Sequence, residues 1–238
     1  MKVVVASDFH LKFQKDQEAI NREIRVISFL KSLTGNTDVL ILNGDIFDLW
    51  FSWKHVVIKE YFKIYVAMED LRKSGCRMIF ISGNHDFWFN DFLKEYLGFE
   101  IYKNFFSEII DNKKLFVTHG DLYTKNDWRY KIFRTLIRKK IVKYLFKLIH
   151  PDFGLNLGTL LSRSSRNRKT TSNIKQKKES GLMEFAVKKL ENYDIVIMGH
   201  SHNPMLLTKK NKIYANSGDW LNHNSFITIT DGKIKLHK

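Results

Sequence analysis

The side chains best suited to catalysis in this chain stand in five short motifs, each directly after a run of apolar residues. The runs end at Ala6, Leu42, Ile81, Val117 and Met198. The polar residues that follow them are Asp8, His10, Asp45, Asn84, His119, His200 and His202. Because open α/β sheets collect their functional residues at the carboxyl ends of their strands, we expect these side chains to meet at one edge of a sheet.

The spacing within the motifs suits metal binding. In Asp8-x-His10 and His200-x-His202 the two residues are two positions apart, so on an extended backbone both side chains could reach one ion. Asp45 has two carboxylate oxygens and could bridge two ions. Carboxylate, amide and imidazole donors without a thiolate favour Mn²⁺, Fe or Zn²⁺ over a soft copper or iron–sulfur site.

Taken singly, these motifs are weak signals. A pair such as Asp8 and His10 is common in proteins, and His119 alone would more often be a surface or core histidine than a ligand. All five motifs occur in order, however, and each stands at the end of a predicted strand. This joint occurrence is what favours a metal centre.

The elements that must position the motifs follow an α/β pattern. Helical spacing is found over Gln17–Leu33 and Glu60–Ser74, between short apolar runs. Strands are predicted at Lys2–Ala6, Asp38–Leu42, Arg77–Ile81, Lys114–Thr118, Asp194–Met198, Ile213–Ala215, Phe226–Ile229 and Lys233–Leu236. We therefore predict a single α/β domain over residues 1–238, with a helical insertion at about 123–181 that caps its core.

The insertion carries nearly all of the chain's excess charge. Fifteen basic residues and one acid, Asp152, lie between Trp128 and Lys178, which leaves little of the net charge of +15 for the remainder. Apolar residues at three- and four-residue spacing predict one amphipathic helix over Trp128–Ile149 that ends before Pro151. Such a helix could pack on the core with a solvated basic face, bind nucleic acid, or cover an anionic lipid-like substrate at a membrane.

Compartment signals are few. The single cysteine, Cys76, cannot form an internal disulfide and is expected in the core. The apolar run that follows Lys2 ends before Ser7-Asp8, which is too short for the core of a signal peptide. No stretch approaches the roughly 18 apolar residues of a membrane span. We expect a cytoplasmic protein, or one held at a membrane face without crossing it.

The five motifs together resemble the signature of the calcineurin-like metallophosphoesterases, and the resemblance extends from about Lys2 to His202. It implies a β-sandwich flanked by helices and a hydrolase that uses two divalent ions, with Mn²⁺ expected first and Fe or Zn²⁺ as alternatives. Asp45 would bridge the ions. Asp8, His10, Asp45 and His202 would hold the first ion, and Asp45, Asn84, His119 and His200 the second.

The same resemblance implies hydrolysis of a phosphate ester or anhydride, with Asn84 and His85 in contact with the reacting phosphate. His85 would steady that phosphate or donate a proton to the leaving oxygen. Asp86 would either orient His85 or simply cap the following turn. Both roles for Asp86 remain open at this point.

A narrower resemblance is to the UDP-2,3-diacylglucosamine hydrolases of lipid A biosynthesis. The resemblance rests on the segments Gly44–Trp50, Gly83–Trp88, His119–Asp121 and Ser217–Trp220. The last of these is similar to that group's closing strand. It implies cleavage of UDP-2,3-diacylglucosamine to UMP and 2,3-diacylglucosamine 1-phosphate by an enzyme held peripherally at the cytoplasmic face of the inner membrane.

This group has a helical cap whose residues contact the substrate. By the same resemblance, Asp127 and Tyr130 would contact the sugar. Arg163, Arg166 and Lys169 are candidates for the diphosphate because they are basic and lie in the corresponding region. The chain departs from the better-known members at His85, where they have arginine.

Two other functions compete with this one. A calcineurin-like phosphodiesterase or nuclease would use the basic segment to bind nucleotides or nucleic acid, although no interleaving of aromatic and basic residues for base stacking is evident there. A non-catalytic binding module is disfavoured because competent residues fill all seven ligand positions. We expect neither a nucleic-acid partner nor an obligate protein partner.

Overall fold

Two β-sheets packed face to face form the centre of the molecule. A computed structural model describes residues 1–89, 92–125, 128–166 and 172–238, and it describes side chains in these ranges except at 159–166 and 172–175. The first sheet contains β1 (Lys2–Ala6), β2 (Val39–Asn43), β3 (Arg77–Ile81), β4 (Glu100–Tyr102), β10 (Phe226–Thr230) and β11 (Lys233–His237). The second contains β5 (Phe105–Ile110), β6 (Lys113–Thr118), β7 (Ile195–Met198), β8 (Met205–Lys209) and β9 (Lys212–Asn216).

The strand order explains where the motifs meet. The first sheet runs β11-β10-β1-β2-β3-β4, with β1 to β4 parallel, and the second runs β5-β6-β7-β9-β8, with β6, β7 and β9 parallel. The carboxyl ends of β1, β2 and β3 therefore lie side by side, as do those of β6 and β7. The five motifs follow these five strands.

Apolar residues of alternate strand positions fill the space between the sheets. Val5 on β1, Ile41 on β2 and Ile79 on β3 pack there against Val117 on β6 and Ile197 on β7. Their neighbours in sequence face outwards and are buried too, under the helices. Burial on both faces accounts for the continuous apolar runs in the sequence.

Helices cover the outer faces of both sheets. On the first sheet lie α1 (Gln17–Leu33), α2 (Phe62–Lys73) and the short α3 (Phe92–Glu95). The side chain of Asp16 caps α1 by accepting a hydrogen bond from the amide of Ala19 at 2.8 Å. These elements, like the sandwich itself, confirm the expected fold class.

Between β6 and β7 the chain forms α4 (Trp128–Ile137), α5 (Lys140–Leu148), α6 (Pro151–Arg166) and α7 (Ser172–Lys189). The prediction of one helix over Trp128–Ile149 is wrong, because Lys139 is extended and separates α4 from α5. Tertiary contacts favour the break. The indole of Trp88 donates to the carbonyl of Ile137 at 3.0 Å, and Arg138 turns inwards to the carbonyl of Gly83.

The insertion is joined to the sandwich through aromatic rings. Phe146 on α5 packs against Phe51 and Trp88, which come from the loops after β2 and β3. The indole of Trp53 donates to the carbonyl of Ile149 at 3.3 Å. The far part of α7 packs Leu182 onto the second sheet. The insertion therefore rests on the same loops that carry two of the motifs.

Some strands have no counterpart in the sequence prediction. β4 has only three residues, β5 is interrupted by Ser107 and Glu108, and β8 is half-exposed, so none shows a clear apolar run. Ser217–Trp220 is a loop after β9 rather than a closing strand, since the side chain of Asn216 accepts from the amide of Gly218 and turns the chain. Within the described residues, no helix has the length and apolar character that crossing a membrane requires.

Ile41→Ala should reduce the free energy of unfolding by about 2–5 kcal/mol, because it leaves a cavity between the two sheets. Ile109→Ala removes the same side chain from β5, where 64% of it is exposed, and should change the value by less than about 1 kcal/mol. Urea unfolding of both variants measures the difference. Equal losses in the two would contradict the proposed sandwich core.

Candidate metal centre

The seven predicted ligand residues converge at the carboxyl ends of their strands. Asp8, His10, Asp45 and His119 are buried, whereas Asn84, His200 and His202 are partly open to solvent. The loops are tied together by backbone hydrogen bonds, with the amide of Asp8 donating to Gly44 and that of His10 donating to Asp45. The result is one polar cluster at the edge of both sheets.

The cluster has two halves that share Asp45. In one half, Nε2 of His202 lies 3.2 Å from Oδ1 of Asp8 and 3.3 Å from Nε2 of His10, which is itself 3.9 Å from Oδ2 of Asp45. In the other, Nε2 of His119 lies 3.4 Å from Oδ2 of Asp45 and 3.1 Å from Oδ1 of Asn84.

His200 completes the second half. Potential ligand atoms of Asp45, His119 and His200 all lie within 4.8 Å of one another, as do those of Asp8, His10 and His202. Each group contains three of the four residues that the resemblance implies for one ion, and the binding of two ions stays a prediction.

These donors fit divalent cations. Oδ1 of Asp8 is buried and, among the described residues, has no hydrogen bond of good geometry, although Nε2 of His202 lies 3.2 Å away. A buried carboxylate oxygen without a partner is unfavourable unless a cation or donor occupies the adjacent space. The imidazole nitrogens and carboxylate oxygens of these two groups form the donor set of Mn²⁺, Fe or Zn²⁺ rather than of a soft metal.

The charged side chains of the cluster shift one another's pKa values. Burial would raise the pKa of Asp8, but His202 lowers it to about 2. Burial would lower the pKa of His119, but the adjacent Asp45 carboxylate raises it to about 10. His200 is the opposite case, because burial and the nearby His119 lower its pKa to about 3. A metal ion binds neutral imidazole, so it must displace the proton that His119 otherwise holds.

Two histidines are oriented by hydrogen bonds on the side away from the cluster. Nδ1 of His10 lies 2.9 Å from Oδ1 of Asp48, and Nδ1 of His119 lies 2.9 Å from the carbonyl of Asn43. Both acceptors hold a proton on Nδ1, so Nε2 is the nitrogen that a metal ion would bind once its own proton is displaced. Asp219 is near His202 in a similar way, with its Oδ2 3.5 Å from Nδ1.

Asp48 and Asp219 are the functional candidates that sequence reasoning missed. Both stand in segments that carry the resemblance, Gly44–Trp50 and Ser217–Trp220, and both are buried. For Asp48, an acidic residue among Ile46, Phe47, Leu49 and Trp50, the apolar surroundings were the available signal, whereas Asp219 had only its place in the resemblance. Spacing alone could not show which histidine each would contact.

The backbone of the site is strained in a way that favours a functional role. Asp8, His10, Asp45, His200 and His202 all have positive φ angles, between 47° and 65°. Non-glycine residues in this region cost roughly 1 kcal/mol or more each and are found mostly where function or surrounding structure demands them. The extended backbone expected for Asp8-x-His10 and His200-x-His202 is therefore wrong. His200 and His202 also lie in different ligand groups, so this pair does not converge on one point.

Two glycines permit the close packing of these loops. A Cβ atom on Gly83 would collide with the carboxylate and the amide nitrogen of Asp45. A Cβ atom on Gly44, which has a φ of 78°, would lie 2.7 Å from both Cα of Gly83 and Nδ1 of His119. The loops after β2 and β3 can approach each other only without these side chains.

His85 lies beside the cluster, but Asp86 does not orient it. Nδ1 of His85 lies 3.1 Å from the carbonyl of Asp48, and burial lowers the pKa of His85, so a neutral ring is favoured. The carboxylate of Asp86 instead accepts hydrogen bonds from the amides of Gly83, Asp45, Ile46 and Phe47. Burial and the charge of Asp45 raise the pKa of Asp86 to about 7. The orienting role is therefore wrong, and Asp86 clamps two ligand loops together.

The structure describes only part of the predicted substrate-binding set. Asp127 and Lys169 lie outside the described residues, and Arg163 and Arg166 lie on α6 at positions whose side chains are not described. Tyr130 is partly buried on α4, where its hydroxyl donates to Oδ2 of Asp121 at 2.6 Å. The same oxygen accepts from Nε of Arg134 at 2.6 Å.

Comparisons with known proteins agree with the interpretation of this cluster as a metal centre. The family described as calcineurin-like phosphoesterase matches residues 1–204. UDP-2,3-diacylglucosamine hydrolase of Porphyromonas gingivalis is 27% identical over 97% of this chain and 94% of its own length. The enzyme of the same name from Aliivibrio fischeri is 25% identical over 100% of this chain and 98% of its own. The solved structure of an archaeal phosphodiesterase, 18% identical over 100% of this chain and 99% of that one, shares the fold with a TM-score of 0.51.

Asp48→Ala should weaken binding of one Mn²⁺ ion by about 10- to 100-fold, because His10 loses the carboxylate that fixes its tautomer and ring orientation. Calorimetric titration of the metal-free protein with Mn²⁺ measures this. Asp152→Ala, which removes a carboxylate whose side chain is 84% exposed on α6, is the control and should bind as the unmodified protein does. Unchanged affinity in the Asp48 variant would contradict the role.

Proposed function

The chain belongs to the calcineurin-like phosphoesterase family, and we propose that it hydrolyses the diphosphate of UDP-2,3-diacylglucosamine to UMP and 2,3-diacylglucosamine 1-phosphate. The observation that carries this proposal is that an apolar and basic insertion packs on the two loops that carry Asp45 and Asn84. Relatives with this name align with the chain over nearly their full lengths, so the insertion falls within the shared region.

We further propose that the chain is one domain and that residues 123–181 form its cap. Large apolar side chains of α4, α5 and α6 are exposed, which is unusual for surface helices unless they meet a ligand, a membrane or another protein. They are Ile132, Phe133, Leu136, Ile141, Leu145, Leu148, Phe153 and Leu157. Two acyl chains attached to a glucosamine are ligands of the matching chemistry.

The seven ligand residues would hold two divalent ions, with Mn²⁺ as the first expectation. When bound, such ions lower the pKa of a water molecule and neutralise charge on the phosphoryl oxygens. Asp45, between the two halves of the cluster, would contact both ions. Asn84 and His85, at the start of the loop after β3, would contact the phosphate.

The neutral state of His85 suits this reaction. Its Nδ1 proton is directed at the carbonyl of Asp48, so Nε2 is the nitrogen left to accept a proton or a hydrogen bond. Water attack at the α-phosphorus breaks the bond to the bridging oxygen and releases a sugar 1-phosphate. A phosphate monoester ionises near pH 6, so this leaving group needs no proton from the protein.

In the cap, Asp127 and Tyr130 remain our candidates for the sugar, and Arg163, Arg166 and Lys169 for the diphosphate. The proton of the Tyr130 hydroxyl is already donated to Asp121, so Tyr130 would contact a sugar through its ring or the lone pairs of its oxygen. A nuclease or nucleotide phosphodiesterase is the alternative function.

The purified protein with Mn²⁺ should release UMP from UDP-2,3-diacylglucosamine, as measured by chromatography of the nucleotide product. Asp45→Ala should reduce release to background, because both ligand groups lose a shared carboxylate. Cleavage of single-stranded DNA or a cyclic nucleotide by a protein that leaves the lipid intact would replace this proposal with the alternative.

We propose that the protein acts peripherally at the inner face of the cytoplasmic membrane, through α5. This helix exposes Ile141, Tyr144, Leu145 and Leu148, and exposed Lys140 and Lys147 lie on the same short helix. Apolar side chains flanked by lysines are typical of helices that lie in the interface of anionic membranes.

Leu145→Glu combined with Leu148→Glu should reduce binding to phosphatidylglycerol-containing vesicles several-fold, because charge replaces the apolar contact. Co-sedimentation with vesicles measures the bound fraction. Leu207→Glu, at an exposed position of β8 in the second sheet, is the control and should bind normally. Equal binding by all three proteins would exclude α5 as the membrane contact.

A further inference from the structure

Arg138 is a half-buried cation near the metal centre, and no carboxylate of the described residues forms an ion pair with it. It stands between α4 and α5 with its guanidinium turned towards the loop after β3. Nη2 donates to the carbonyl of Gly83 at 2.6 Å, and Cζ lies 4.8 Å from the centre of the Phe87 ring. Its Nε is buried and has no hydrogen-bond partner in the part of the chain that the structure describes.

The neighbouring arginine, Arg134, has a carboxylate partner. Arg134, one turn earlier, forms an ion pair with Asp121 at 2.6 Å and leaves 12% of its side chain exposed. Among the described residues, no carboxylate lies within ion-pair distance of Arg138. Asp121 is therefore paired with Arg134 alone, and the positive charge of Arg138 lies unpaired beside the carbonyl of Gly83. Burying such a charge is unfavourable unless an anion completes the arrangement.

The position of Arg138 indicates which anion it would bind. Gly83, to which Arg138 donates, immediately precedes the ligand Asn84 and packs directly on Asp45. We propose that Arg138 binds a non-bridging oxygen of the substrate's diphosphate, on the phosphate that is not attacked. This inference rests on the proposed function.

Arginine suits this role for two reasons. It carries a fixed positive charge, which the histidine at position 85 does not, and it presents several N–H donors in one plane. Nε can donate to a phosphate while Nη2 keeps its hydrogen bond to Gly83. Arg138 would thus distinguish a diphosphate from a single phosphodiester, although it comes from the cap and not from a motif.

The test compares two substrates in matched variants. Arg138→Met should reduce kcat/KM for UDP-2,3-diacylglucosamine by about 10- to 100-fold, the effect of losing one charge-assisted hydrogen bond. It should leave kcat/KM for bis(p-nitrophenyl) phosphate, which has one phosphorus, within about twofold. Arg138→Lys should recover part of the loss. Arg129→Met, at an exposed position of α4, is the control and should resemble the unmodified protein on both substrates.

Two results with active unmodified protein would overturn the inference. One is unchanged activity of both Arg138 variants on the lipid. The other is an equal loss on both substrates, which would mean that Arg138 only supports the loop after β3.

An unmodified protein that cleaves bis(p-nitrophenyl) phosphate but not the lipid would refute the proposed function instead. Calorimetric binding of UDP to the Mn²⁺-loaded protein then decides the role of Arg138. Weaker binding by Arg138→Met than by Arg129→Met supports it, and equal binding contradicts it.

Discussion

The buried carboxylate of Asp45 is the group on which the rest of the site depends. Its Oδ2 lies between His10 and His119, and its Oδ1 accepts the amide of His85, so it touches both halves of the cluster and the loop after β3. That position requires the backbone clamp of Asp86 below it and a glycine at Gly83 beside it. The adjacent His119 stabilises the charge of this carboxylate and holds the pKa of Asp45 well below its usual range, and a bound metal ion would take over that role.

The same two loops carry the metal ligands and hold the cap. The loops after β2 and β3 carry Asp45 and Asn84, and a few residues further they carry the aromatic rings that hold α5. Trp88 and Arg138 extend this link, since each joins the cap to the loop after β3 by a hydrogen bond. A change in the cap can therefore alter how the phosphate meets the ligands without altering the ligands.

The sequence was informative where local pattern decides structure. The buried parallel strands and the ligand residues at their ends could be predicted, because burial on both faces leaves continuous apolar runs and metal ligands are few in type. The strand β5 and the break at Lys139 could not, since each depends on partners distant in sequence. The contacts of Asp48 and Asp219 with histidines could not be predicted either, because contacts between distant loops leave no regular spacing in the sequence.

The central claim is that one carboxylate joins two cation sites. Electron paramagnetic resonance of the protein loaded with Mn²⁺ tests it most directly. We expect two ions per chain and an exchange-coupled spectrum, and Asp45→Ala should lose the coupling. Two ions that give only the six-line spectrum of isolated Mn²⁺, or a single bound ion at saturation, would contradict the account.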